Sequence, residues 1–206
     1  EDVIWSVTPE DGMLSSHRIL STATHLGDGV YGRATGKALQ YRIIADCHAI
    51  NGQINDEWLI RDQTAIVRQL GYDPKAYAAE LMLREGGPDA CVQPLTAETD
   101  LRGPYKGRGN NNEWGTKYDR AVQCEYPGGE TAHGTESVDR FWMGLRASFP
   151  DAIFTIDHQI GREDPMMPPR AAIRWSLEGR HDGWGVFGQP TGAHIYVLGI
   201  SHAEFG

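Results

Sequence analysis

GVFGQPTGAHIYVLGISHAEF, residues 185–205, repeats the plan of GVYGRATGKALQYRIIADCHAI, residues 29–50, and the rest of the chain is read outward from that duplication. The offset is a constant 156 residues (185 − 29 = 156): Gly29, Val30, Gly32, Thr35, Gly36 and Ile44 recur as Gly185, Val186, Gly188, Thr191, Gly192 and Ile200. Upstream, Arg18 falls on Arg174 and His25 on His181, while Asp2-Val3-Ile4-Trp5 resembles Asp151-Ala152-Ile153-Phe154 at a shorter offset. A repeat of this length with one indel marks two copies of one module.

Around the first copy the pattern is β. Asp2–Val7 alternates as a strand, 9–16 reads as a loop, and His17–Leu26 forms a second strand before a glycine-rich connection. Ala38–Ile50 follows, with Leu39, Tyr41, Ile43, Ala45 and Cys47 on one face and Gln40, Arg42, Asp46 and His48 on the other. Asn51-Gly52 is a strong hairpin signal, so Gln53–Arg61 returns beside it, with Ile54, Trp58 and Ile60 expected on one face. Asp62 reads as the N-cap of a helix over Gln63–Leu70 stopped by Gly71, and Asp73-Pro74 opens another to Glu85. Gly, Pro and Asn then crowd the chain, which makes 86–113 a linker.

Beyond it, Val122–Tyr126 is a short strand. Val138, Phe141, Trp142, Leu145 and Phe149 recur with helical spacing as a core-facing stripe. Strands are expected at Ala152–Ile160, Arg170–His181 and Ala193–Phe205, with a proline loop at 161–169. Hairpins with helices on one side give an α+β class. The first segment, 1–85, holds the late elements of the module and the second, 114–206, its early and middle ones. The second copy has no counterpart of Gln53–Arg61, so the sequence reads as truncated at both ends.

A net charge of −9 and a pI near 5.3 argue against nucleic acid and against an anionic membrane surface. No apolar run approaches the roughly 20 residues of a membrane span, and EDVIWS is no signal peptide. Cys47, Cys91 and Cys124 show no C-x-x-C spacing, which points to a reducing, cytoplasmic setting.

The run from His17 to Gly71, with T-H…G-x-x-T-G-K…I-A-D-C…N-G-Q-I-x-x-E-W and R-Q-L-G, resembles SnoaL-like proteins of the nuclear transport factor two superfamily. Gly128 through Phe141-Trp142 and Phe149-Pro150-Asp151 to Phe205 looks like the front part of the same module. The resemblance implies a cone-shaped, bent antiparallel sheet packed on helices, present in two partial copies and enclosing an apolar pocket. Family members range from polyketide cyclases, ketosteroid isomerases and epoxide hydrolases to non-catalytic binders, so fold alone does not choose among them. It also implies no cofactor, a small apolar carbonyl-bearing ligand and a homodimer through the sheet.

Asp46 and His48 share a strand face, and the repeat places His202 and Glu204 at the same two positions. A carboxylate beside an imidazole suits general-base work; a subunit-interface or solvent-facing pair is the alternative. The family pattern expects a catalytic acid after the tryptophan of the last strand. Leu59 stands directly after Trp58, leaving Asp62 either as that acid or as a plain helix cap. Asp46, His48 and Asp62 are therefore the expected proton-moving groups. His17, Tyr41, Trp58, Trp175 and His202 are the expected ligand contacts. Arg42, Asp46, Arg61 and Asp62 supply the residue types of an epoxide-hydrolase set. No metal site is expected, because His and carboxylates do not converge at ligand spacing.

Overall fold

The computed structural model describes residues 2–9, 12–87, 90 and 119–206. Most of the expected linker, and Trp114 beyond it, lie outside the described residues. Asp2–Thr8 (β1), Gly12–Thr24 (β2), Ala38–Ile50 (β3) and Gln53–Arg61 (β4) form one antiparallel sheet in sequence order. Gln63–Leu70 (α1) and Pro74–Arg84 (α2) follow it. Gln123–Tyr126 (β5) and Glu130–His133 (β6) make a small hairpin, and Thr135–Ser148 (α3) leads into Ile153–Asp164 (β7), Met167–Arg180 (β8) and His194–Glu204 (β9). These last three form a second antiparallel sheet with β8 in the middle. The class is α+β. Among the described residues no helix is long and apolar enough to cross a membrane.

Helix caps follow local chemistry. The Asp62 carboxylate accepts from the Ala65 amide at 2.9 Å, and Gly71 ends α1 with φ +96°, a left-handed position that suits glycine. Asp73 caps α2 in the same way.

Three expectations need correction. The loop expected at 9–16 gives way at Gly12, where β2 begins; Leu14 and Ser16 pair with Ser6 and Ile4 and are buried. Burial of both residues overrides the weak strand propensity of Ser15-Ser16. The proline loop expected at 161–169 shrinks to a turn, because β7 runs to Asp164 and β8 starts at Met167. Pro168 and Pro169 are tolerated because β9 pairs with β8 only from Arg170 onward, so their missing donors cost no bond on that side. Ile54 does not share a face with Trp58. A register shift at His48/Ala49 sets Trp58 opposite Asp46 and Ile54 opposite Ala49, and odd and even positions of β3 face opposite ways.

That alternation positions everything else. On the odd face of the first sheet, Leu39 packs with Ile66 and Leu70 of α1, joined by Tyr31 and Tyr41. The even face turns toward the second sheet: Ile4, Leu14, Ile160 and Ala172 form a shared buried cluster. Each large apolar side chain buried there contributes roughly 1.5–3 kcal/mol. Of the polar positions of β3, Asp46 is the one buried against β7 and β8, while Gln40 is exposed and Arg42 and His48 are half-buried. On its far face the second sheet carries α3, whose Trp142 meets Trp175 of β8 at 6.0 Å between ring centroids.

Candidate functional site

The expected site residues divide among three places. The first is the layer between the sheets. Asp46 is 1% exposed and His158 3%, and Asp46 Oδ2 lies 2.7 Å from His158 Nδ1. Arg174 Nε stands 3.8 Å from the same oxygen, and its guanidinium lies over the Trp58 ring at 4.1 Å. His158 reaches this position through a bulge in β7, where Ile156 pairs with Trp175 and His158 with Arg174, leaving Asp157 as the extra residue. Asp157 accepts from Ser176 Oγ at 3.2 Å; burial raises its pKa, against the opposing pull of that hydrogen bond and of Arg174. Removing either partner of a buried ion pair strands the other charge, so such clusters lock the two surfaces together.

His202 lies in the same layer, with Nε2 2.8 Å from Ser16 Oγ, a hydroxyl with no exposed surface. Desolvation, and then the Arg18 guanidinium, press its pKa down to about 4, while Asp2 and Asp46 pull the other way. It therefore stands neutral at pH 7. His48 sits opposite Leu14 and Asp56 and is half-buried.

The second place is the head of α1. Besides capping the helix, Asp62 accepts from the Gly128 amide at 2.8 and 2.9 Å and from Gly129 at 3.0 Å, pinning the β5–β6 turn. Arg68 donates to Gly128 O and Glu130, and Arg42 pairs with Glu125 at 2.7 Å, so the hairpin docks on the first sheet and α1. Asp62 does not join Asp46. Its amide bonds to Arg42 O, and Asp46 is four residues further along β3, roughly 13 Å at strand rise. Arg42, Arg61, Asp62 and Asp46 do not gather as one set.

The third place is the helix side of each sheet. His17 shares the odd face with Tyr41 and accepts or donates to Ser15 Oγ at 2.9 Å. On the second sheet Trp175 heads a continuous run of rings: Phe154 at 5.4 Å, Trp142 at 6.0 Å, then Phe141 at 5.2 Å and Tyr126 stacked on Phe141 at 3.8 Å. The Trp175 indole lies flat on Gly199, where any Cβ would collide with it, and donates to Ser201 Oγ at 3.0 Å. Trp142 Nε1 is buried and has no hydrogen-bond partner among the described residues. A buried indole N–H without an acceptor costs about 1–3 kcal/mol, and a ligand carbonyl would satisfy it. Phe154, half exposed, forms the open end of the run.

Sequence reading missed His158, Arg174 and Trp142. His158 lies 112 residues from Asp46, too far for spacing to pair them. Arg174 was visible as the repeat partner of Arg18, and Trp142 as part of a core stripe; neither signal carried its partner. No protein-family model, curated protein or solved structure matches the chain.

Proposed function

We propose that this chain is a SnoaL-like binding module, two partial copies of one cone-shaped fold, that holds a small apolar carbonyl-bearing molecule without turning it over. The observation that carries the reading is the aromatic run from Phe154 to Tyr126 with the acceptor-free indole N–H of Trp142 inside it. Rings supply apolar contact area, and one unpaired donor sets the orientation of a carbonyl.

The two carboxylates first expected to move protons are otherwise engaged. Asp46 is sealed between the sheets with His158, and both oxygens of Asp62 accept backbone amides. A general base must reach the proton it takes, and neither carboxylate lies on the ring-lined face. That favours binding over the cyclase, isomerase or epoxide-hydrolase alternatives.

The test uses an environment-sensitive naphthyl ketone, prodan. Saturable binding with a blue-shifted emission is expected, weakened about tenfold in Trp142→Phe, the scale of one hydrogen bond. Deuterium exchange at the ketone α-carbon should stay at the buffer rate. Exchange catalysed by the protein would restore the enzyme reading, and absence of binding would end both.

A further inference from the structure

The strand pairings carry the 156-residue offset beyond the loops and into β1 and β7. Trp5, Ser15 and Cys47 pair across β1, β2 and β3, and Gly161, Ala171 and Ala203 pair in the same way across β7, β8 and β9. His17, two residues along the same face of β2, corresponds to Ile173 (17 + 156 = 173). The second copy therefore builds this part of its sheet from glycine, alanine and isoleucine. The shared backbone does not call for tryptophan, serine, histidine or cysteine at these positions, yet the first copy gathers all four on one face.

Ser15 Oγ lies 2.9 Å from His17 Nε2, within reach of a ring nitrogen that can take its proton. Ser15 is 6% exposed, His17 half-buried and Trp5 exposed, which sets the hydroxyl at the floor of the cluster and the imidazole and indole at its rim. Trp5 is held by the Arg162 guanidinium, 3.8 Å from the centre of its ring, and Val3 stands opposite His17 on β1. Cys47 does not compete as a nucleophile. Burial, and then Glu57 and Asp46, push its thiol up to about 11, so it stays protonated at pH 7. Ser16 turns to the opposite face and is sealed there against His202.

We infer that Ser15 and His17 form a nucleophile–base pair that accepts an acyl group from a donor with a good leaving group. Ser15 Oγ bonds to the acyl carbon as His17 Nε2 takes its proton. The bond from that carbon to the leaving group then breaks, and the leaving group departs with the electron pair and the proton. Water, giving its proton to the same imidazole, attacks the acyl-serine, releases the acid and restores the hydroxyl. The need for a good leaving group follows from the place of β2. It is paired on both sides around Ser15, so its backbone amides are spent on β1 and β3 and are not free to hold an oxyanion. Trp5 and Val3 at the rim suit a short apolar acyl chain.

The probe is p-nitrophenyl butyrate, added to the full 206-residue chain. A burst of p-nitrophenolate stoichiometric with the chain is expected, with a butyryl group on Ser15 located by peptide mass sequencing. Ser15→Ala, which installs the residue found at the matched position 171, should abolish the adduct. His17→Gln should slow acylation by about 100-fold or more, the scale of a lost general base. Cys47→Ala, matching Ala203, should leave burst and adduct unchanged, with circular dichroism confirming that each variant folds. Release no faster than in buffer overturns the proposal. So does a butyryl group on Ser16, Cys47 or a lysine in place of Ser15, or a burst that survives undiminished in His17→Gln.

Discussion

In the connection between β2 and β3, His25 Nδ1 meets Thr35 Oγ1 at 3.1 Å, the His25 carbonyl accepts the Thr35 and Gly36 amides, and Gly29 and Gly32 form an isolated bridge. Between β8 and β9 the same bonds recur one by one: His181 Nδ1 to Thr191 Oγ1 at 3.2 Å, the His181 carbonyl to the Thr191 and Gly192 amides, and a bridge from Gly185 to Gly188. What covers the two loops differs. Tyr77 and Arg84 of α2 both donate to Val30 O on the first. On the second, Gly185 is pressed against Ser148 and Gly144 of α3, and Phe187 packs on Phe149 and His181. Equal local sequence makes equal local backbone, while the neighbour that docks on it is free to change. Substitutions at matched positions, 156 apart, can pull those two contributions apart.

The largest contrast is expected on the matched strand positions 46 and 202. Asp46→Ala removes the buried carboxylate that His158 and Arg174 share and should cost about 3–5 kcal/mol. His202→Ala removes one hydrogen bond to Ser16 and should cost about 1–2 kcal/mol. Urea midpoints of the two variants measure the difference, and equal costs would mean that the Asp46 cluster is no lock.

Next in size is a pH effect centred on His202. With a folded pKa of about 4 against an ordinary 6.5, His202 binds fewer protons folded than unfolded between those values. Stability is therefore lost as pH falls from 6.5 to about 4, by roughly 2–3 kcal/mol. In His202→Gln the decline over that window should be shallower by that amount. Parallel curves for the two proteins would show that the imidazole is not desolvated as described.

Smaller effects are expected in the loops. A Cβ at Gly185 would collide with Ser148 and the Gly144 carbonyl, whereas nothing lies within 4 Å of one at Gly29. Gly185→Ala should cost about 1–3 kcal/mol and Gly29→Ala less than about 0.5 kcal/mol, read as a difference in thermal midpoint. The smallest contrast is between the matched hydroxyls. Thr191→Ala, part-buried, should cost about 1 kcal/mol and Thr35→Ala, exposed, about half that. Equal values would mean that burial does not distinguish the loops.

The short-range part of this architecture was legible in the residues. Thr-Gly after His25 and His181, Asn51-Gly52, Asp62 and Gly71 each act on a backbone a few residues away, so the loops, the β3–β4 hairpin and the limits of α1 could be read directly. Strand alternation likewise separated Leu39 and Tyr41 from Asp46 and His48. It did not say what lay against either face, and a row of Asp, His and Arg looks the same whether it meets water or another sheet. Only the tertiary structure decided that Asp46 meets His158, that His202 meets Ser16 and that Trp58 lies under Arg174. It also moved Ile54 to the other face, through a one-residue slip that no pattern announces. The physical reason is one of range: caps and turns are satisfied within the local chain. Burial and charge pairing depend on surfaces that meet only when segments tens to more than a hundred residues apart are packed together.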